Sequence, residues 1–554
     1  MRRSSSFAAL VAIASLLAGL LNPSALQAQA YNAQPKLVVI VVIDQFRSDM
    51  LQRYRSEFKG RGFKLFLDEG AWFPDCYYNY ANTKTAPGHA TIGTGAYSDG
   101  HGIESNEFYD ATRWYDRKVS SVEDERYTLV DLPAGADLKG SSPRNLRAST
   151  VGDELRLATQ GKSRVFGVSL KDRAAILPPG QAANGAFWLD DASGRFTTST
   201  YYMEHLPGWA TAFNTSGRLA EAAKEAGVPA DGKFSATVEL SPVANHFELD
   251  FAQALVTGEK LSQGPTTDML TVSLSAHDLV GHKYGPDSEE EHQMVLGLDR
   301  DLDRFFGWLD KTVGLKNVWI GLSADHGVAP VPATAAALGI NAATVDLTGL
   351  VANANAALNE RFASAGNAIE YVMPTSDLPY LNLNRRIFEA MKIDEATAES
   401  ALRDALPEAV AKLSPPVPQE PATHRLPPTP IVGGVYTRLQ FANSELPPTE
   451  WGRELGHSYV DHGNWFVMLV LAGYQMPDLH NTGTTHFSPW SYDRHVPLAF
   501  YGSAFAPGTY RGRTEPVDLA ATFASLLGIN QPSAAVGRIL TESFKENGSK
   551  AATR

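Results

Sequence analysis

The side chains best suited to chemistry in this sequence are aspartates and histidines that lie beside short apolar segments. Six of them fall near the ends of predicted β-strands: Asp44, Asp278, His282, Asp325, His326 and His486. Carboxylate oxygens and imidazole nitrogens are both ligands of zinc. Each residue alone has a simpler explanation, because Asp favours turns and helix N-caps and an isolated His is commonly a surface or core residue.

The spacing of these residues favours a shared metal site. Asp325 and His326 are adjacent in Ser-Ala-Asp-His-Gly, and His282 follows Asp278 by four residues, which places both side chains on one face of a helix or in one compact loop. Ligands of open α/β sheets bind beyond the carboxyl ends of the strands. Three aspartates and three histidines at one such edge are enough for two zinc ions, each with positions left open for substrate.

Thr85 is the candidate nucleophile. It lies in Thr-Lys-Thr-Ala-Pro-Gly-His, where Pro87 suits the first turn of a helix made of small residues. Free amides and the dipole at a helix N-terminus favour a developing anion. From this segment alone, an N-cap role for Thr85 is the simpler interpretation. The nearby ligand cluster is what favours the nucleophile.

Lys171 and Arg173 follow another predicted strand, 164–169, at the same edge of the sheet. Arg can bind two oxygens of an anion in a fork, and Lys acts as a point charge. Two such cations suit an anionic ligand at this edge. The alternative is that both are solvated surface charges after a strand.

The strands and helices that must position these residues can be predicted from the sequence pattern. Short β-branched runs alternate with helical patterns, which predicts an α/β fold with a mostly parallel central sheet and helices on both faces. The clearest strand is 36–43, apolar on both faces and therefore central. Further strands are predicted at 164–169, 269–274, 317–322 and 497–501, and helices at 294–309, 397–412 and 518–527.

The predicted organisation is a single catalytic domain, 31–545, followed by a polar tail, 546–554. Polar, aromatic or proline-rich segments near 107–160, 178–250 and 340–450 are interpreted as cap insertions. With 554 residues and a net charge of −13, the chain can bury a large core, and its charge argues against nucleic acid as a binding partner.

The N-terminal segment 1–30 is typical of a signal peptide. Arg2 and Arg3 precede an apolar run, 7–21, and Ala28-Gln-Ala30 offers a cleavage site. An uncleaved membrane anchor is the alternative, but the run is short for a membrane span. We therefore expect a periplasmic protein without a stable membrane anchor, and a monomer. The single cysteine, Cys76, excludes an intramolecular disulfide.

Six ordered motifs resemble the alkaline phosphatase superfamily. Their order and spacing resemble those of the nucleotide pyrophosphatase/phosphodiesterase branch. The closest resemblance is to threonine-nucleophile, phosphate-irrepressible periplasmic alkaline phosphatases. The motifs are Thr-x-Pro-Gly-His from Thr85, His-Gly-Ile-x-x-Asn ending at Asn106, Ser-Leu-Lys-Asp-Arg through Lys171, Asp-x-x-Gly-His-x-x-Gly-Pro from Asp278, Ala-Asp-His-Gly, and Thr-Thr-His. One position departs: Phe487 follows the last histidine, where relatives often have glycine.

The resemblance implies a two-zinc hydrolase of small-molecule phosphate monoesters that works through a covalent phosphothreonine, with weaker diesterase activity. Its implied ligands of the first Zn²⁺ are Asp44, Asp325, His326 and Thr85 itself, and those of the second are Asp278, His282 and His486. It also implies that Asn106, Lys171 and Arg173 bind the non-bridging phosphoryl oxygens.

Two alternatives stay open at this point. A phosphodiesterase or nucleotide pyrophosphatase would share every zinc ligand. A periplasmic binding protein on a degenerate hydrolase scaffold is the non-enzyme alternative, and a missing ligand or nucleophile would favour it. Neither is missing in this sequence.

Overall fold

A nine-stranded mixed sheet is the centre of the structure, a computed structural model that describes residues 34–111, 113–227, 238–362, 368–374, 378–413, 431–477 and 483–545. The predicted signal peptide and polar tail lie outside the described residues. The strands are β1 Leu37–Ile43, β2 Ala71–Tyr77, β3 Glu107–Asp110, β4 Trp114–Ser120, β5 Glu123–Thr128, β6 Lys139–Ser141, β7 Val165–Ser169, β8 Gly185–Asp190, β9 Arg195–Thr197, β10 Asp268–Leu274, β11 Val318–Ser323, β12 Ala343–Val345, β13 Tyr380–Asn382, β14 Val432–Thr437, β15 Phe466–Leu471, β16 Gln475–Pro477, β17 His495–Tyr501 and β18 Gly508–Thr509.

Helices surround this sheet and the smaller ones. They are α1 Ser48–Arg53, α2 Lys64–Glu69, α3 Thr85–Thr94, α4 Ser98–His101, α5 Val151–Ala158, α6 Asp172–Ile176, α7 Gly208–Thr215, α8 Arg218–Glu225, α9 Val243–Gly258, α10 Ala276–Tyr284, α11 Glu289–Thr312, α12 Pro332–Ala337, α13 Leu347–Arg361, α14 Arg385–Ala390, α15 Glu395–Ala411, α16 Arg438–Ala442, α17 Glu450–Ser458, α18 Ser491–Arg494 and α19 Asp518–Leu527. Two 3₁₀ turns lie at Leu315–Asn317 and Thr541–Ser543.

Strand order in the central sheet is β18-β2-β17-β11-β1-β10-β7-β8-β9. The five strands β8, β7, β10, β1 and β11 are mutually parallel. Every residue of β1 is buried, as expected for a central strand that is apolar on both faces. The predicted α/β fold with a mostly parallel sheet is confirmed.

The last predicted strand, β17, runs in the opposite direction to the five parallel strands. Strand β17 runs antiparallel to both β11 and β2. Its beginning therefore lies at the edge where β1, β10 and β11 end. This reversal brings the loop that precedes β17 to the same edge as the residues that follow the parallel strands.

The predicted helices are present, with small shifts at their ends. Helix α11 begins at Glu289, five residues before the predicted start, because Ser288 caps it by accepting a hydrogen bond from the Glu291 amide and three glutamates occupy the first turn. Helix α19 spans 518–527 as predicted.

The predicted cap insertions differ in what they build. Within 178–250, strands β8 and β9 belong to the central sheet. Within 340–450, α13 and α15 pack with the β13-β15-β14 sheet around a separate apolar core that includes Leu358, Leu402 and Val467. The division into one domain with insertions stays a prediction. Among the described residues, no helix is both long and apolar enough to cross a membrane.

Candidate metal and phosphoryl-transfer site

The residues after the parallel strands converge at one edge of the sheet. Ile43 of β1 pairs with Leu274 of β10, and the Asp44 amide donates to the Leu274 carbonyl at 3.1 Å. Asp325 lies two residues beyond the end of β11. Helix α10 begins after β10 and carries Asp278 in its first turn and His282 in its last turn.

Asp44, Asp325 and His326 form a first ligand group, and all three are fully buried. The Nε2 atom of His326 lies 3.4 Å from Oδ1 of Asp44 and 3.5 Å from Oδ2 of Asp325. Each of these three atoms lacks a hydrogen-bond partner in the described part of the chain. Buried polar atoms without partners are costly, so three that face one another fit a bound cation.

Asp278, His282 and His486 form a second group beside the first. Oδ1 of Asp278 lies 3.2 Å from Nε2 of His282 and 3.9 Å from Nε2 of His486. The rings of His326 and His486 stack, with centroids 3.7 Å apart. His326 therefore stands between the groups, and its ligand atom is close to those of Asp278 and His486 as well.

Backbone carbonyls fix the orientation of the three histidines. The Nδ1 atom of His326 lies 3.0 Å from the Gly327 carbonyl, that of His282 lies 2.9 Å from Thr484, and that of His486 lies 2.6 Å from Thr83. A carbonyl can only accept, so each Nδ1 carries the proton. Every Nε2 then faces the carboxylates, and a proton on Nδ1 leaves Nε2 as the nitrogen that can bind a metal.

The charge state of the cluster also suits a cation. Burial, with the neighbouring Asp278 and Asp325, raises the pKa of Asp44 to about 7. Burial lowers the pKa of His326 to about 4, so its imidazole is neutral at pH 7. Burial and two neighbouring histidines likewise hold the pKa of His486 well below its ordinary value. Although burial disfavours its charge, Asp278 raises the pKa of the third histidine, His282. The neutral imidazoles of His326 and His486 beside crowded carboxyls form a donor set that fits zinc.

Thr85 is the first residue of α3, and Lys84 occupies the N-cap position without a side-chain cap. The N-cap interpretation of Thr85 is therefore wrong. Gly88 lets this helix approach β11 closely, because a Cβ there would lie 2.2 Å from the Asp325 carbonyl oxygen. His89 connects this helix to the first ligand group. Its Nδ1 lies 2.8 Å from the Thr85 carbonyl and 3.2 Å from Oδ2 of Asp325.

Asn106 is oriented by helix α3, which Thr85 begins. Its Oδ1 accepts a hydrogen bond from the Ala86 amide at 2.8 Å, so its amide group is held beside the first turn of α3. Thr85 itself is 2% exposed and lies in that turn. The structure thus brings Asn106 and Thr85 together.

Lys171 and Arg173 lie at the end of β7 and the start of α6. The Nζ atom of Lys171 lies 2.6 Å from Oδ2 of Asp44 and 2.7 Å from Oδ2 of Asp278. Although burial disfavours its charge, these carboxylates raise the pKa of Lys171 above the ordinary value. The positive charge of Arg173 opposes this rise in the pKa of Lys171. The Arg173 side chain is 24% exposed.

Sequence reasoning missed Gln45, a fully buried residue that follows Asp44. Its backbone amide donates to Oδ1 of Asp325 at 3.0 Å, and its side-chain amide donates to Oδ1 of Asp278 at 2.7 Å. Its position directly after a central strand was the available signal. Its left-handed backbone, with φ of 66°, could not be read from the sequence.

Phe487 also has a left-handed backbone, with φ of 76°. Glycine is the residue that adopts this conformation without strain, which explains the glycine expected at this position. The Phe487 ring lies below the Lys84 ammonium, 4.9 Å from its centroid, and packs beside His486. It also lines a partly open, mainly apolar pocket, which Thr85, Asn106, Lys171 and Arg173 do not line.

Known proteins are similar to this chain in both sequence and fold. The family described as type I phosphodiesterase / nucleotide pyrophosphatase matches residues 38–432. The alkaline phosphatase PhoV of Synechococcus elongatus is 33% identical over 558 residues, which cover 93% of this chain and 94% of the relative. The alkaline phosphatase PafA of Elizabethkingia meningoseptica is 33% identical over 572 residues, covering 95% and 98%.

A solved structure extends the comparison to three dimensions. The crystal structure of wild-type alkaline phosphatase PafA matches with a TM-score of 0.79 and 31% identity, over 93% of this chain and all of that one. The resemblance to the alkaline phosphatase superfamily is thereby confirmed. The chain belongs to the type I phosphodiesterase / nucleotide pyrophosphatase family.

Proposed function

We propose that this protein hydrolyses small-molecule phosphate monoesters, with Thr85 as the nucleophile and inorganic phosphate as a product. The observation that carries the proposal is the meeting of the two ligand groups at one sheet edge, next to the helix that Thr85 begins. The names of the relatives support the reaction class, since four of the five that match 89% or more of this chain are named alkaline phosphatases, and the fifth is named a calcium-transporting ATPase.

Two zinc ions are part of the proposal. Asp44, Asp325 and His326 would hold one, together with the Thr85 hydroxyl. Asp278, His282 and His486 would hold the other. When bound, such ions lower the pKa of a coordinated hydroxyl and offset charge on the attacking and departing oxygens.

The chain's own residues define the steps of the reaction. Oγ1 of Thr85 forms a bond to phosphorus, the bond from phosphorus to the ester oxygen breaks, and the departing alcohol receives the proton that Thr85 gives up. Water then attacks the phosphothreonine, and the Thr85 oxygen leaves with a proton from that water. Asn106 would donate a hydrogen bond to a phosphoryl oxygen, a role that its position beside the first turn of α3 supports.

Lys171 and Arg173 favour a monoester over a diester. A monoester dianion carries one more negative charge than a diester, and these two cations lie together at the end of β7. A phosphodiesterase or nucleotide pyrophosphatase is the second candidate, because the matching family is described by those activities. We also propose a monomeric, periplasmic protein, which rests on the sequence alone.

The decisive experiment compares kcat/KM for an aryl phosphate monoester and the matching diester. Wild type, Thr85→Ala and Lys171→Ala are measured, with Lys162→Ala as the control, since Lys162 is an exposed lysine shortly before the same strand. We expect Thr85→Ala to abolish turnover of both esters and Lys171→Ala to reduce monoester turnover more than diester turnover.

Three results would contradict the proposal. Full monoester turnover by Lys171→Ala would reject the substrate argument in favour of the diesterase. Activity that survives exhaustive chelation would reject the two-zinc site. Tight binding of a phosphate ester by the wild type without turnover would favour the binding protein on a degenerate scaffold.

A further inference from the structure

We propose that Gln45 is a positioning residue that sets the orientation of the carboxylates in both ligand groups. The inference rests on the proposed function, because it concerns how the chain presents its ligands to metal ions. Gln45 is neither charged nor a metal ligand in the proposed site. It nevertheless contacts carboxylates from both groups and adjoins Asp44 in the chain.

On the first group, Gln45 acts through its backbone. Oδ1 of Asp325 accepts hydrogen bonds from the Gln45 amide at 3.0 Å and from the His326 amide at 2.9 Å. Both donors are therefore directed at the same oxygen. Oδ2, which has no hydrogen-bond partner among the described residues, is left facing His326. The two amides thus select which oxygen of Asp325 is available to a cation.

On the second group, Gln45 acts through its side chain. The Nε2 atom donates to Oδ1 of Asp278 at 2.7 Å, while Lys171 holds the other oxygen of that carboxylate. Asp278 is 4% exposed and Gln45 is fully buried, so water does not replace this contact readily. Groups that hydrogen-bond a metal-binding carboxylate orient it and tune its affinity.

The backbone of Gln45 is strained to reach both groups. Its φ of 66° lies in the left-handed region, which is unfavourable for a residue that has a Cβ. Glycine at this position would remove that strain. The same turn directs the backbone amide of Gln45 to Asp325 and its side chain to Asp278, a pair of contacts that glycine could not make.

Helix α10 leaves space for this side chain. Gly281 faces Gln45, and a Cβ at Gly281 would lie 2.0 Å from Oε1 of Gln45. This contact gives a physical reason for the glycine between Asp278 and His282. An alanine at Gly281 must displace the Gln45 side chain, so the proposed contact can be disturbed from either partner.

The test measures zinc affinity by competition with a chromophoric chelator, together with kcat and KM. Gln45→Glu keeps the shape but replaces the amide donor with a carboxylate beside Asp278. Gln45→Gly removes the side chain and relieves the backbone strain, and we expect this variant to fold. We expect both variants, and Gly281→Ala, to bind zinc about 10- to 100-fold more weakly than wild type. Gly307→Ala is the matched control, because Gly307 lies in α11 with open space around it.

Cobalt substitution supplies a second measurement that a merely structural role would not change. We expect the visible absorption of the Co²⁺ protein to differ between Gln45→Gly and wild type while Gly307→Ala retains the wild-type spectrum. Wild-type zinc affinity and spectrum in Gln45→Gly and Gly281→Ala would overturn the inference. If wild type itself neither binds zinc nor hydrolyses a monoester, the proposed function fails instead, so the two failures are distinguishable.

Discussion

The Nζ atom of Lys171 lies 2.6 Å from Oδ2 of Asp44. A cation assigned to the substrate by resemblance is thus in direct contact with a carboxylate assigned to a metal. The pair is buried, since 15% of the Lys171 side chain and none of that of Asp44 is exposed. Lys171 also contacts Asp278 at 2.7 Å, so one ammonium offsets carboxylates of both groups.

Lys171→Met is expected to destabilise the metal-free protein strongly. Removing one partner from a buried ion pair costs about 3–5 kcal/mol, because the remaining charge is uncompensated. The proposed zinc ions would supply that compensation, so the loss of stability should be smaller when they are bound. Urea unfolding at pH 8, with EDTA and with zinc, measures both values, and Lys162→Met is the control. Equal losses under the two conditions would show that Lys171 does not offset the ligand charge.

Asp44 makes the stability of the chelated protein depend on pH. Its pKa is about 7 in the folded protein and 3.8 in a model compound, so the folded state retains the proton longer. The stability that this provides is present below pH 4 and is lost as the pH rises through 7, by up to about 1.4 kcal/mol per pH unit. Chelated Asp44→Asn should therefore gain stability relative to chelated wild type between pH 4 and 8. A constant difference over that range, measured by urea unfolding, would contradict this assignment.

Asn106→Asp separates the chemical role of Asn106 from its structural one. The aspartate can still accept from the Ala86 amide, and a carboxylate suits a helix N-terminus, so stability should be retained. The donor to the phosphoryl group is lost and a negative charge replaces it. We expect kcat/KM for a monoester to fall about 100-fold or more. Asn106→Ala should lose both activity and stability, and wild-type activity in Asn106→Asp would exclude the proposed contact.

Most residues of the candidate site could be expected at this sheet edge from the sequence, for a physical reason. Apolar runs such as 36–43 mark buried strands, and a charged residue directly after one, such as Asp44, must lie at the sheet edge. Pattern does not encode direction, so it could not show that β17 is antiparallel and that His486 therefore arrives from the start of a strand. His486 could be expected at this edge only through its Thr-Thr-His motif.

What the sequence could not predict depends on backbone conformation and on competition between partners. The contacts of Gln45 require a left-handed φ that glutamine rarely adopts. The placement of Lys171 depends on three carboxyls that crowd one another, which residue types and spacing do not measure. His326 lies between the two groups because its ring stacks on His486, a contact between segments far apart in the chain.

Phe487 offers a test of strain in the loop that carries His486. At φ of 76°, alanine retains the strain and loses the ring, whereas glycine loses the ring and relieves the strain. Phe487→Gly should therefore be more stable than Phe487→Ala by about 1 kcal/mol, as measured by urea unfolding of the zinc-bound protein. Both variants remove the ring under Lys84 equally, so that contact cancels in the comparison. If the alanine variant is the more stable one, the loop does not hold this backbone conformation in solution.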